Sequence, residues 1–178
     1  MTDETASNLS WLSRVMAWLS TIGMVLWPVG LVAAYVFPGD ANTMNADHLG
    51  AALNAGVPLI YRLGALVCSL AGEGFIVWAL WSLRRLFLLY AGGEVFSPKA
   101  LRLLNDVAAA LFASVIVGFV MHGPITFLLS LAVPDHHLIG FDLGSDDVVT
   151  LFCAGVVLVV ARVMREARRL ADENAKFV

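Results

Sequence analysis

The strongest constraint in this chain is that four stretches run for about 20 residues with almost no charge, the length needed to cross the hydrocarbon of a bilayer. They cover residues 15–37, 63–83, 107–131 and 148–164. The first carries no charged residue, the second is interrupted by Glu73 and the third by His122. The fourth carries Arg162 near its end, whose long side chain can reach the headgroups from within lipid. Composition agrees. The 178 residues are 60% hydrophobic and 14% charged, where soluble domains average about 45–50% and about 25%. The surplus apolar surface must face lipid. The predicted fold is all-α: one membrane domain over 1–178, built as an antiparallel bundle of four transmembrane helices joined by short connections.

Orientation follows from Lys and Arg, which stay on the cytoplasmic side of short loops. With the N-terminus inside, 10 of the 11 Lys and Arg residues fall in the cytoplasm and only Arg62 lies outside. Asp40, Asp47, Asp135, Asp142, Asp146 and Asp147 fall on the outer side. This gives outer loops at 38–62 and 132–147, a cytoplasmic loop at 84–106 and a cytoplasmic helical tail at 165–178, with both termini inside. The polar, acidic start and the length of the first apolar run read as a retained span rather than a cleaved leader. Trp11, Trp18, Trp81 and Tyr90 are expected at the inner interface, and Tyr35 and Tyr61 at the outer one.

Local signals mark boundaries. Ser97 followed by Pro98 predicts an N-cap with Pro at the first helical position, starting a helix that runs on into the third span. Ser145 with Asp146 and Asp147 predicts the start of the fourth helix, with acids at the positive end of its dipole. Residues 45–55 suggest a short surface helix in the first outer loop.

Glu73 stands at the middle of the second span between Gly72 and Gly74. A carboxyl group at that depth costs several kcal/mol unless it is neutralised or paired, so it is a candidate proton or cation site. It could equally hold the helices in register through a hydrogen bond. The third span runs opposite to the second, which puts His122 within about 5 Å of the depth of Glu73. A Glu73–His122 contact is therefore expected. On the cytoplasmic side Arg84, Arg85, Phe96, Arg165, Arg168 and Arg169 form the candidate partner-binding surface. Arg162–Glu166, Arg168–Asp172 and Arg169–Glu173 are spaced for ion pairs along the tail. Val163, Ala167, Leu170, Asn174 and Phe177 share one face there.

No metal site is expected. His48, His136 and His137 are ligand types in the outer loops, but their spacing fits no metal motif. Haem needs paired histidines on facing helices, and only His122 is inside a span, so no cofactor is expected. Cys68 and Cys153 lie at lipid depth and read as small buried hydrophobes. No nucleotide loop, metalloprotease motif or nucleophile elbow is present, and no nucleophile and base share a helix face, so the chain is not expected to be an enzyme or to bind nucleic acid directly.

Two segments carry a family resemblance: LRRLFLLYAGGEVFSPKALRLL (83–104) and GSDDVVTLFCAGVVLVVARVMREARRLADENAKFV (144–178). Together they resemble the bacterial four-span membrane family catalogued as domain of unknown function 2975, over roughly 55–178. The resemblance implies four helices with cytoplasmic ends in the bacterial inner membrane, and no activity established for the class. It also implies genes often adjacent to a small helix-turn-helix regulator, hence a membrane partner for a cytoplasmic regulator protein. The leading expectation is a non-enzymatic regulatory or sensory membrane protein. The alternative is a small proton-coupled transporter acting as a homodimer. Small multidrug exporters are similar in combining four helices with one embedded glutamate, but theirs is in the first span and Glu73 is in the second.

Overall fold

The structure, a computed structural model, describes residues 3–37, 57–131 and 143–174. The described residues form four helices: α1 (Asp3–Val36), α2 (Leu59–Ala91), α3 (Pro98–Ser130) and α4 (Ser145–Asn174). All four are long and apolar enough to cross a membrane. At 1.5 Å per residue, helices of 30 to 34 residues reach about 45–50 Å, beyond the roughly 30 Å of hydrocarbon. They therefore overrun the spans read from hydropathy: α2 continues two turns past residue 83, and α3 begins well before residue 107. The predicted helix at 45–55, the acids Asp40, Asp47, Asp135 and Asp142, and the histidines His48, His136 and His137 lie outside the described residues.

The chain chemistry at the ends matches the sequence signals. Ser97 caps α3, its Oγ accepting from the Ala100 amide at 3.1 Å, with Pro98 at the first turn. Leaving Ala91, the chain turns through Gly93 at φ +83°, a left-handed conformation that suits glycine. Glu94 N–H donates to the Leu89 carbonyl and Gly93 N–H to the Tyr90 carbonyl, both at 3.0 Å, closing a Schellman motif. Asp146 and Asp147 occupy the first turn of α4, and Asp147 Oδ2 accepts from the Gly144 amide at 3.0 Å.

The helices pack antiparallel and chiefly in chain order, α1 on α2, α2 on α3 and α3 on α4. The centre is the α2–α3 pair. A Cβ on Gly72 would stand 3.3 Å from the Cα of Gly118, so these two backbones meet without side chains between them. Two apolar clusters lie on either side of that crossing. Towards the Arg62 end, Tyr35, Val57, Ala65, Leu66, Ile125 and Leu129 join α1, α2 and α3. Towards the arginine-rich end, Leu86, Ala100, Leu103, Leu104 and Ala161 join α2, α3 and α4. The outer faces of α1 and α4 are covered with exposed Val, Leu, Ile, Phe and Trp, as surfaces in lipid require.

Three local expectations are corrected. Tyr35 is not an interfacial anchor: it is 2% exposed, and its hydroxyl lies 2.7 Å from Ser69 Oγ. Cys153 faces outward, exposed on α4, while Cys68 is half-buried against the cluster around Tyr35. Arg162 does not take Glu166; Arg169 does, at 2.6 Å, and also reaches Glu173 at 3.6 Å.

Candidate functional site

Between the Gly72–Gly118 crossing and the start of α4 the four helices enclose a half-open cleft of about 410 Å³. α1 contributes Trp27, Leu31 and Tyr35; α2 contributes Cys68, Ser69, Glu73 and Ile76. α3 brings Ser114, Val115, Met121 and Ile125, and α4 brings Asp146, Asp147 and Thr150. The residues of the cleft include three carboxylates and no basic side chain. Its walls are otherwise largely aliphatic and aromatic, so a charge inside has few competing dipoles around it.

Glu73 reaches this cleft because of helical geometry. Successive side chains on a helix are about 100° apart. Gly72 points at α3, so Glu73 is turned from α3 towards α1, where Trp27 Nε1–H donates to its Oε2. One indole donor fills one of about four acceptor positions on a carboxylate. The rest of the group faces the cleft. The second polar contact is the Tyr35–Ser69 pair, about one turn along α2 from Glu73. Arg62 closes the end of α1 by donating from its Nη2 to the Tyr35 carbonyl, one of the four that a helix end leaves without partners. Ser114 offers a ligand no donor, since its hydroxyl donates back to the Leu111 carbonyl at 2.8 Å, and only its lone pairs are left to accept.

The predicted Glu73–His122 contact is not made. No hydrogen bond joins the two, and His122 sits half-buried on α3 beside the cleft-lining Met121 but not in the cleft. Depth separates the two as well: with Gly72 opposite Gly118, His122 lies four residues, about 6 Å, beyond the crossing. The azimuth was missing, because Glu73 looks to α1 and His122 is turned one residue step from Met121. Trp27, Tyr35, Ser69 and the α4 acids are the residues that sequence reasoning left out of the site. Trp27 carried a usable signal: a Trp well inside a span, away from the interfacial belt, needs a partner for its indole N–H.

The basic surface also divides. Arg168 Nη1 donates to the Phe96 carbonyl at 3.2 Å, fastening the α2–α3 turn to the α4 extension, and Arg165, Arg169 and Phe96 are exposed there. Arg84 lies on the other flank of α2, in a recess shared with Arg14 of α1. The Arg85 guanidinium stacks 4.8 Å above the Trp81 ring. Among the described residues no three His, Cys, Asp or Glu side chains converge as metal ligands.

The family described as "Protein of unknown function (DUF2975)" matches residues 4–178. The match takes in α1, which the resemblance read from the sequence did not reach. No curated protein and no solved structure matches the chain. With four helices able to cross a membrane and a family match over nearly its whole length, the chain is a multi-pass membrane protein belonging to the DUF2975 family.

Proposed function

We propose that this is a non-enzymatic regulatory or sensory protein of the bacterial inner membrane, reading a polar or cationic ligand in the Glu73 cleft and holding a cytoplasmic partner such as a small helix-turn-helix regulator. One observation carries the reading. α4 is a single unbroken helix whose first turns wall the cleft, through Asp146, Asp147 and Thr150, and whose far end grips the α2–α3 turn through Arg168. A shift of α4 at the cleft is transmitted to the turn by a rigid rod. The partner surface is then the exposed Phe96 with Arg165 and Arg169, which stand beside Arg168 on the side of α4 nearer the turn. The bias of Lys and Arg towards one side supports a cytoplasmic position for that face.

Photo-crosslinking from position 96 in intact cells tests this. A cytoplasmic protein should be trapped, its yield should fall on replacing Arg165 by Glu, and Glu73→Gln should change the yield without changing expression. Recovery of no cytoplasmic protein from the wild-type chain sinks the reading.

The second reading, a dimeric proton-coupled transporter, is favoured by the acidic and half-open character of the cleft around a mid-span glutamate. It requires substrate-driven proton flux in proteoliposomes that Glu73→Gln abolishes. Flux that survives the substitution rules it out.

A further inference from the structure

A second recess lies between α1 and α2 at their arginine-bearing ends, about 290 Å³ in volume, lined by Arg14, Ala17, Trp18, Thr21, Arg84 and Leu88. We propose that it binds the phosphodiester headgroup of an anionic phospholipid. Two guanidiniums on neighbouring helices face one space with no acid among the lining residues, and neither Arg14 nor Arg84 makes an ion pair among the described residues. Paired guanidiniums present several N–H donors in the fork geometry that phosphate oxygens accept. Thr21 adds no donor, because its hydroxyl is committed to the Ala17 carbonyl at 2.9 Å.

The rest of the recess separates a lipid from a free anion. Its walls are Ala17, Leu88 and the body of Trp18, apolar surface that inorganic phosphate would leave wet and that a glycerol backbone with the first methylenes would cover. Trp18 is 70% exposed and flanks the opening, the place of an aromatic residue at the headgroup level of a bilayer. Basic pockets between membrane helices at the cytoplasmic side are suited to anionic headgroups. The volume is near the lower limit of about 300 Å³ for ligand pockets, enough for a headgroup and glycerol rather than a whole lipid. The chains would then run down the exposed apolar face of α1 and α2.

The test uses the full chain, purified, delipidated and titrated by native mass spectrometry with phosphatidylglycerol, phosphatidylcholine or inorganic phosphate. Phosphatidylglycerol should bind one to one and in preference to phosphatidylcholine. Arg14→Gln and Arg84→Gln should each weaken it about fivefold, and the pair about 30-fold. Arg102→Gln, at the same end on α3 and outside the recess, should change nothing. Leu88→Trp keeps both charges and fills the recess, so it should also weaken binding, and it decides the matter if the arginine variants misfold. Equal retention of phosphatidylcholine overturns the proposal, as does a double variant or a Leu88→Trp variant that binds like wild type. A loss in Arg102→Gln as large as in Arg84→Gln reduces it to diffuse surface attraction. Displacement of phosphatidylglycerol by millimolar inorganic phosphate reassigns the recess to a free anion.

Discussion

The two halves of the bundle are built differently. At the arginine-rich end Leu86, Ala100, Leu103, Leu104 and Ala161 interlock three helices, and a Schellman turn and a serine cap finish the backbone. At the other end the helices are joined by apolar contacts around Tyr35 and by polar ones, Tyr35 with Ser69, Arg62 with the α1 terminus and Trp27 with Glu73, with a cleft between them. The first half is a packed frame whose buried polar residues, Ser13, Ser20 and Ser82, are small hydroxyls, with an arginine-lined recess on one flank. The second holds the wider cleft and a mid-span carboxyl group, which is expensive in lipid and is the usual mark of a working region. Stability should therefore be concentrated in the first half and ligand response in the second.

The crossing of Gly72 and Gly118 divides the halves, and replacing Gly72 by Leu should have the largest effect. The nearest obstacles to a new side chain are backbone atoms of α3 at 3.3 and 3.4 Å, which cannot swing aside as a side chain does. The helices must part, at a cost of about 3 kcal/mol or more. Reversible unfolding in mixed micelles measures it. Gly74→Leu is the matched control, since nothing lies within 4 Å of its Cβ position, and it should stay within about 0.5 kcal/mol. Similar losses in both would show that the crossing does not organise the fold.

Ala161→Leu probes the packed half. Ala161 is fully buried among leucines, and three added carbons have no void to enter, so a loss of about 2 kcal/mol is expected. Gly155→Leu on the same helix, with an open Cβ position, should be nearly neutral. If the two are equivalent, α4 is not held by its packing at this end.

The sequence made the packed half readable and left the cleft mostly hidden, for physical reasons. Span number, antiparallel order and the Ser97 and Ser145 helix starts follow from local chemistry, where a cap or an apolar run acts within a few residues. Glu73 was visible because a carboxyl group in hydrocarbon is anomalous wherever it points. Its partner was not, because partner choice depends on helix azimuth. A single residue step at Gly72 sends Glu73 to Trp27 on α1 rather than to His122 on α3. Tyr35 misled for the same reason: its place along the span suits an interface anchor, while its direction buries it against Ser69. The five arginines grouped with Phe96 as one surface fell on two flanks, since α2 presents Leu86 to α3 and Arg84 to α1.

Ser97→Ala removes the acceptor of the Ala100 amide from the first turn of α3 and should lower stability by about 1 kcal/mol. Ser97→Asp restores an acceptor and should recover most of that. A serine cap that proves silent would mean the turn is held mainly by the Schellman bonds and by Arg168.

The smallest effect is expected from Tyr35→Phe, although Tyr35 is the most deeply buried tyrosine in the cleft wall. The substitution deletes only the hydroxyl that lies 2.7 Å from Ser69 Oγ. Ser69 sits on a helix, where a serine hydroxyl can turn back to the carbonyl three or four residues before it, so the group left behind is not stranded. Interhelical hydrogen bonds of this kind in membranes average about 0.6 kcal/mol, and the loss should be of that size. Ser69→Ala should match it, and the double variant should lose no more than either single one if the two hydroxyls serve only each other. A loss above about 2 kcal/mol would mean that the polar half carries as much of the stability as the packed half, and the division between frame and site would fail.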